Sequence, residues 1–294
     1  MTLEQLRIFV AVADREHLTR AAAALNLTPS AVSSSVRALE DRYGAQLFHR
    51  VGRRIELTET GRIFRSEARA TLSRAEAAEL TLAELGGLKR GTLAIEASQT
   101  IASYWLPPVL VQFRDAHPRI DIRLAVGNTQ SVARAVIDGA AELGFVEGEI
   151  DEPALSVELV DADRLIIVVA PDHPWADGRR VEAADLAAAS WIMREPGSGT
   201  RSAFENAVRA RGVAPESLRI VLELPSNESV RSAVESGPFV SVMSKLVAAA
   251  YLDAGRLVAV PFELAPRAFT MLRHKERHRS RASLALQQIM RDRR

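Results

Sequence analysis

The sequence contains no cysteine, which excludes disulfide bonds, cysteine nucleophiles and thiolate metal sites and is compatible with a reducing cytosol. It also lacks a basic start followed by an apolar core, and it has no apolar run of about 18 residues. We therefore expect a soluble, unexported, cytoplasmic protein that has no membrane partner.

The common signatures of catalysis are absent as well. The six histidines form no HExxH pair and no other metal-ligand spacing, and there is no GxSxG elbow. The sequence therefore predicts no catalytic residue, no metal site and no cofactor, and it argues against an enzyme. What the chain does have is 47% hydrophobic residues over 294 positions, which is enough for two or three folded domains.

Charge is distributed unevenly along the chain. Residues 1–90 hold 14 Lys and Arg against 11 Asp and Glu, residues 91–272 hold 16 against 24, and residues 273–294 hold 8 against 2. A basic beginning, an acidic middle and a basic end indicate more than one domain. The excess at the amino terminus is too small to establish nucleic-acid binding by itself.

Residues 18–43 predict two short helices that meet at a tight turn. Thr19 is placed to cap the first helix, and Asn26 ends it because asparagine tolerates the left-handed conformation. Thr28 caps the second helix, and Pro29 occupies its first position, where a missing N–H costs nothing. This pattern predicts a helix-turn-helix, with an ordinary helical hairpin as the alternative.

The second helix has two faces of different character. Its apolar face, which we expect to be buried, contains Val32, Val36, Leu39 and Tyr43. The short hydroxyls and the arginine on the opposite face would let this helix lie close in a major groove, where serine donates to phosphate or base and arginine suits guanine. The candidate DNA-binding residues of this helix are Thr28, Ser30, Ser33, Ser34 and Arg37.

A hairpin is predicted after Gly44, with strands QLFHR and RIEL around Val51-Gly52-Arg53. This hairpin would form the wing of a winged helix-turn-helix. Three arginines, Arg50, Arg53 and Arg54, cluster at its tip, where guanidinium groups would meet phosphate or enter the minor groove. An ordinary surface hairpin is the alternative.

A long helix is predicted next, capped by Thr58 and extending from Glu59 to Leu85 without proline. Its sparse apolar positions are Ile63, Ala68, Leu72, Ala75, Leu82 and Leu85. A lone helix cannot bury such positions, whereas pairing with the same helix of a second subunit would bury them and place two DNA-reading heads side by side. Gly86-Gly87 and Gly91 then indicate a hinge.

The first 85 or so residues resemble the amino-terminal domain of LysR-type transcriptional regulators. Residues that carry this resemblance, at the family's spacing, are Leu6, Phe9, Ala21-Ala22, Leu25, Ala31-Val32-Ser33, Leu39-Glu40, Leu47-Phe48, Arg50, Leu57-Thr58 and Gly61. The family often has glutamine where this chain has Pro29, which gives more weight to Ser30, Ser34 and Arg37. The resemblance implies a homodimeric or homotetrameric regulator with promoter DNA, a small effector and RNA polymerase as partners.

From Thr92 onward, short apolar runs alternate with helix-like stretches, which predicts an α/β fold with largely parallel sheets. The eight runs are TLAIEA, IDIRLAV, AELGFVE, RLIIVVA, SWIMR, LRIVLEL, PFVSVM and RLVAVPF. The resemblance implies, more specifically, a two-lobed effector domain like a type 2 periplasmic binding protein. A solute-binding protein of a transport system is the alternative interpretation of the whole chain, although the amino-terminal head disfavours it.

The fold class expected is thus multidomain, with an all-α winged helix-turn-helix head, a long linker helix and an α/β two-lobed domain. We expect these parts at residues 1–58, 59–90 and 91–294. On the basis of the resemblance, lobe I would comprise about 91–161 and 267–294, and lobe II about 162–266.

Ligands of open α/β sheets bind beyond the carboxyl ends of strands, against helix amino termini. The segment REPGSGTR meets this description, and it resembles LysR regulators of sulfur assimilation and carbon fixation, whose effectors are small oxyanions or phosphorylated and carboxylated metabolites. An ordinary loop with a helix cap is the alternative. We expect an anionic effector, and the candidate residues are Ser98, Gln99, Thr100, Thr129, Glu147, Gly197, Ser198, Gly199, Thr200, Arg201 and Asn227.

Overall fold

The computed structural model describes residues 1–51, 54–85 and 91–293. The chain forms two compact units, a helical amino-terminal one and a larger α/β one. This is the predicted combination of a winged helix-turn-helix with a two-lobed α/β domain. Within the described ranges, no helix is both long enough and apolar enough to cross a membrane.

The amino-terminal unit consists of three short helices, a hairpin and a long helix. In chain order these are α1 (Leu3–Arg15), α2 (Leu18–Leu25), α3 (Pro29–Tyr43), β1 (Phe48–Val51), β2 (Arg54–Leu57) and α4 (Glu59–Leu85). The core of this unit is built from apolar side chains of α1, α2, α3 and the hairpin, and Phe9 and Val32 are fully buried within it. Burial of such side chains, at about 1.5–3 kcal/mol each, is what holds helices this short together.

The predicted turn between α2 and α3 is confirmed. Asn26 has a φ of 55° and ends α2, Thr28 accepts a hydrogen bond from the Ala31 amide at 3.2 Å, and Pro29 opens α3. The prediction that Thr19 caps α2 is wrong, because α2 begins at Leu18, two residues before the start that a cap at Thr19 implies. The imidazole of His17 takes the capping role and accepts a hydrogen bond from the backbone amide of Arg20.

The apolar face of α3 is buried as predicted at Val32, Val36 and Leu39. Tyr43 is an exception, since 55% of it is exposed to solvent. Tyr43 is the last residue of the helix, just before Gly44, and it lies beyond the hydrophobic core. The Arg42 guanidinium stands 5.6 Å from the centre of the Tyr43 ring. The helix therefore buries three of the four residues expected on that face.

The predicted wing is present as an antiparallel pair in which Phe48 faces Leu57 and Val51 faces Arg54. Gly52, Arg53 and the side chains of Arg50 and Arg54 lie outside the described residues, so the predicted arginine cluster stays a prediction. Thr58 caps α4 as expected, because its hydroxyl accepts a hydrogen bond from the Gly61 amide at 2.9 Å.

Helix α4 spans the predicted residues, but its apolar positions divide into two groups. Ala68 is buried, and Leu72 packs against the core of the head, so these two side chains do not need a second subunit. Ile63 and Leu82 are 63% and 71% exposed. The side chain of Leu85 and the predicted hinge at Gly86-Gly87 lie outside the described residues.

The larger unit contains two five-stranded sheets. Its elements are β3 (Gly91–Ser98), a π-helical turn (Ile101–Trp105), α5 (Pro107–Ala116), β4 (Ile120–Gly127), α6 (Thr129–Asp138), β5 (Leu143–Glu147), β6 (Leu155–Asp163), β7 (Leu165–Val169), α7 (Ala183–Ala188), β8 (Ser190–Arg194), α8 (Gly199–Arg209), β9 (Arg219–Leu224), α9 (Asn227–Val234), β10 (Val240–Ser244), α10 (Lys245–Asp253), β11 (Val258–Val260), β12 (Arg267–His274) and α11 (Arg281–Asp292).

One sheet, in the order β4-β3-β5-β12-β6, forms lobe I with its helices, and the other, in the order β11-β7-β10-β8-β9, forms lobe II. The chain passes from lobe I to lobe II at Arg164 and returns between β11 and β12. Both sheets are mixed rather than largely parallel, because β12 runs antiparallel to both neighbours in lobe I and β7 does so in lobe II. Strands β6 and β12 were not among the predicted runs.

Each lobe has its own hydrophobic core. In lobe I, Phe113, Phe145 and Phe269 are fully buried around the sheet. In lobe II, Trp191 packs on Phe204 with ring centres 4.8 Å apart. These cores fix the sheets and leave the carboxyl ends of several strands free to carry polar residues.

Candidate functional site

Most of the predicted effector residues form one buried polar cluster where the two lobes meet. They lie at the carboxyl ends of β3 and β5 and at the amino ends of α6, α8 and α9. The buried members are Ser98, Thr100, Thr129, Glu147, Ser198, Thr200 and Asn227. We call this set, together with Gln99, Gly197, Gly199 and the buried Arg267, the cleft cluster.

Glu147 lies at the centre of the cleft cluster. The Ser98 hydroxyl donates a hydrogen bond to its carboxylate, and the Thr129 hydroxyl donates to its main-chain carbonyl at 2.8 Å. A Cβ atom on Gly199 would lie 2.1 Å from that same carbonyl oxygen, so only glycine permits this approach. The amino end of α8 in lobe II is thus packed directly on the end of β5 in lobe I.

Arg267 and Asp163 supply a buried ion pair that the sequence did not reveal. Two guanidinium nitrogens of Arg267 donate to one carboxylate oxygen of Asp163, at 2.9 and 2.7 Å. The third nitrogen donates to the Thr200 hydroxyl at 3.0 Å and lies 3.6 Å from the Glu147 carboxylate. The Ser244 hydroxyl donates to the other oxygen of Asp163 at 2.8 Å. Arg267 thereby links the strand end of lobe I to the start of α8.

Asn227 joins the lobes on the other side of the cleft cluster. Its backbone amide donates to the Gln99 side-chain oxygen at 2.6 Å, and its side-chain nitrogen donates to the Thr100 hydroxyl at 3.2 Å. Arg194, also absent from the predicted set, is buried and donates to the Asn227 side-chain oxygen at 2.7 Å. Each polar group here is already satisfied by another group of the protein.

Arg201 is placed differently from the rest of the predicted set. Its guanidinium donates to Glu205 at 2.7 Å, to Glu223 at 2.6 Å and to the Arg194 carbonyl at 3.1 Å. Burial alone would lower the pKa of Arg201, but hydrogen bonds to the two glutamates raise it above its ordinary value. The described contacts of this arginine therefore go to the end of β8, to α8 and to β9, and not to the buried hydroxyls.

Further contacts between the lobes surround the cleft cluster. The backbone amide of Gln130 donates to the Gly197 carbonyl at 3.3 Å. Gly197 has a φ of 88°. The Asn128 side chain donates to Glu195 at 3.2 Å. Burial would raise the pKa of Glu195, but hydrogen bonds and charge from Arg194 lower it below the ordinary value.

At the edge of the cleft, the Tyr104 hydroxyl donates to Glu228 at 2.8 Å. Burial is the main cause that raises the pKa of Tyr104, and the hydrogen bond to the Glu228 carboxylate raises it further. Together with the hydrogen bonds at Gln99, Arg267 and Gly197, this contact holds the two lobes against each other.

The predicted DNA-reading face of α3 is solvent-exposed in the amino-terminal unit. Ser30, Ser34 and Arg37 are exposed, and Ser33 is half-buried. Thr28 is exposed too, with its hydroxyl 3.1 Å from that of Ser30. Hydroxyl and guanidinium groups on one face of a helix match the donors and acceptors of phosphates and base edges.

The chemistry of the cleft cluster suits the binding of a small polar molecule. Hydroxyls and backbone amides at three helix amino termini are donors for oxygen atoms, and the helix dipoles favour negative charge. Among the residues that the structure describes, no group of three or more His, Asp or Glu side chains is arranged to hold a metal ion.

A winged helix-turn-helix followed by a two-lobed domain with a polar cleft defines the class of ligand-responsive, DNA-binding regulators. Residues 3–62 match the description "Bacterial regulatory helix-turn-helix protein, lysR family", and residues 86–294 match "LysR substrate binding domain". The chain belongs to the LysR family of transcriptional regulators.

Known relatives agree with this assignment. The chain is 37% identical over 288 residues to the uncharacterized HTH-type transcriptional regulator YeiE of Escherichia coli K12, covering 96% of this chain and 94% of that protein. It is 35% identical over 263 residues to the RuBisCO operon transcriptional regulator of Allochromatium vinosum, covering 90% and 86%. Its fold is similar to full-length CbnR complexed with the target DNA, with a TM-score of 0.71, 20% identity and 99% of both chains covered.

These relatives are regulators, so the interpretation as a transport solute-binding protein is not supported. The similarity to a RuBisCO operon regulator agrees with the predicted likeness to regulators of carbon fixation.

Proposed function

We propose that this protein regulates transcription by binding promoter DNA through α3 while a small anionic effector occupies the cleft cluster. The observation that carries the effector part is the gathering of buried hydroxyls from Ser98, Thr100, Thr129, Ser198 and Thr200 at helix amino termini. Burying a hydroxyl costs free energy unless it is hydrogen-bonded, so five buried hydroxyls at one place favour a polar role over simple packing.

Support for a negatively charged effector comes from dipoles and from one guanidinium rather than from a broad positive field. Helices α6, α8 and α9 direct their amino ends at the cleft cluster, and Arg267 lies within it. Arg201, whose ion pairs engage it elsewhere, contributes less than its place in REPGSGTR suggested. The remaining proposed effector contacts are Gln99, Gly197, Gly199 and Asn227.

The DNA part of the proposal rests on the exposed face of α3. Ser30, Ser34 and Arg37 would contact the major groove, with Thr28 and Ser33 near the phosphates and the wing arginines on the flanking backbone. A dimer formed through α4 would present two such heads to a two-fold site in the cytoplasm, and a tetramer could form through the effector domains. RNA polymerase would then respond to the position of the heads on the promoter.

The effector is tested by calorimetry with sulfate, sulfite, phosphate and small organic acids. Thr200→Ala removes a buried hydroxyl, and we expect it to weaken binding about tenfold, since a hydrogen bond to a charged group contributes about 1.5–3 kcal/mol. Thr71→Ala, at an exposed threonine of α4, is the matched control and should leave the affinity unchanged. Equal affinity in both variants would remove the cleft cluster as the effector site.

DNA binding is tested on the region upstream of the protein's own gene against a scrambled duplex. Arg37→Ala should lower the specific affinity about tenfold or more, because a bidentate arginine contact to guanine is worth about 1–3 kcal/mol. Arg209→Ala removes the same charge from an exposed position on α8 and serves as the control. Footprints recorded with and without saturating effector should differ, and identical footprints would contradict regulation by the ligand.

A further inference from the structure

One group in the cleft cluster has the wrong charge for an anion site. Glu147 is 2% exposed, and its carboxylate accepts the hydrogen bond of Ser98 and lies 3.6 Å from the Arg267 guanidinium. A carboxylate held by a hydroxyl and a guanidinium is bound in the way that an oxyanion ligand would be bound. A hydroxyl of the opposite lobe, that of Thr200, binds the same guanidinium at 3.0 Å.

We propose that the Glu147 carboxylate is an internal ligand of the effector site, which an oxyanion effector must displace in order to bind. This inference rests on the proposed effector function. The effector class is thereby narrowed to a sulfate-like or phosphate-like ion, or the carboxylate group of a small metabolite, that offers at least two oxygens to replace those of Glu147.

Repulsion makes joint occupancy unfavourable. An anion within hydrogen-bond distance of both Ser98 and Arg267 would lie beside a second buried negative charge, at a separation where like charges repel strongly in a protein interior. The Asp163 carboxylate, which accepts two hydrogen bonds from Arg267, adds a further negative charge beside the same guanidinium. Effector binding therefore requires the Glu147 side chain to rotate away from Ser98.

The main chain of Glu147 is in contact with the opposite lobe. The backbone of Glu147 packs against Gly199 and accepts the Thr129 hydroxyl, so movement at this residue is transmitted to the start of α8 and to α6. In this proposal the carboxylate competes with the effector for the same groups, so the apparent affinity is reduced to the fraction of molecules in which the carboxylate has left the site.

The decisive variant is Glu147→Gln, which keeps an oxygen acceptor for Ser98 and removes the negative charge. We expect it to bind sulfate or phosphate at least about tenfold more tightly than the wild type in calorimetry. The reason is that the neutral amide competes less well than the carboxylate for Ser98 and Arg267, since one charge-assisted contact is lost. Glu149→Gln removes the same charge from an exposed position two residues away and should not change the affinity. Acetate serves as the probe for a carboxylate group.

A structure of the wild type at saturating sulfate gives a second measurement that does not depend on a variant. It should show a sulfate oxygen that accepts a hydrogen bond from the Ser98 hydroxyl, with the Glu147 carboxylate turned away from Ser98. A sulfate bound elsewhere, with Glu147 still accepting from Ser98, would overturn the inference. So would weaker or unchanged binding in Glu147→Gln, or the absence of sulfate, phosphate and acetate binding in both proteins.

Those failures are distinct from failure of the proposed function. If Glu147→Gln does not bind anions more tightly, yet a ligand of another chemistry changes the footprint of the wild type and loses affinity in Thr200→Ala, the regulatory function stands and only the role of Glu147 falls. Tighter anion binding in Glu147→Gln without any change of footprint would support the internal ligand and remove the regulatory function.

Discussion

Arg267 and Asp163 are 104 positions apart in the chain, and in the structure two nitrogens of the guanidinium bind one oxygen of the carboxylate at 2.9 and 2.7 Å. Both side chains are buried. The pair lies where β12 begins and β6 ends, next to the crossing at Arg164 between the lobes. It therefore joins the end of β6 to the start of β12, the strand that brings Arg267 into the cleft cluster.

Removing one member of this pair should be costly. Asp163→Ala leaves a buried guanidinium without its main partner, and we expect the free energy of unfolding to fall by about 3–5 kcal/mol in urea denaturation. Glu158→Ala, which breaks the exposed pair with Arg291 at 3.3 Å, is the control and should cost less than about 1 kcal/mol.

A double variant separates the two physical causes of this loss. In Asp163→Leu with Arg267→Met both charges are absent, so stability should recover toward the wild type if the unpaired charge is responsible. A double variant as unstable as Asp163→Ala would instead indicate that packing or the Ser244 hydrogen bond dominates.

The helix boundaries of the head were predictable because caps are local. Thr28, Pro29 and Gly44 act within one turn of the helix ends that they define, so their spacing is visible in the sequence. The two missed strands are different. Strand β6 lies at a sheet edge, where alternate residues face solvent and the run looks polar, while β12 begins with the buried Arg267. Neither strand presents a continuous apolar run.

The cleft cluster was predictable in the same local sense and no further. Ser98 ends a strand and Thr200 begins a helix, so hydroxyls at such positions can be identified one segment at a time. Pairing between two strands that are distant in the chain, such as β6 and β12, cannot be identified one segment at a time, which is why Asp163 and Arg267 were missed. The ion pair of Arg201 with Glu205, four residues on along α8, did have a sequence signal in its i to i+4 spacing.

Acid should weaken the contribution of Glu195 to stability. The pKa of Glu195 is lowered in the folded protein: burial opposes this, but the hydrogen bonds and charge of Arg194 outweigh it. Since the folded pKa is below the unfolded value of about 4.3, the ionised group adds stability above that pH, and the contribution is lost as pH falls through the folded pKa.

We therefore expect Glu195→Gln to lower the thermal midpoint by about 2–4 °C at pH 7, the shift that 1 kcal/mol produces in a domain of roughly 200 residues. The difference from the wild type should close as the pH drops below about 4. Glu216→Gln, at an exposed carboxylate of lobe II, is the control measured at each pH. A difference that stays constant from pH 7 to acid would contradict the assigned charge interaction with Arg194.

Leu82 gives the sharpest test of the proposed dimer. It is 71% exposed on α4, whereas Leu72 of the same helix is packed against the head. Burying one leucine against a partner contributes about 1.5–3 kcal/mol, so a charge placed there in both subunits should weaken self-association at least about tenfold. We expect Leu82→Glu to shift the protein toward monomer in light scattering at micromolar concentration, while Glu79→Gln, an exposed polar position on α4, remains associated. Unchanged association of Leu82→Glu would mean that this part of α4 faces solvent in the assembly, and self-association would then have to be sought on the effector domains.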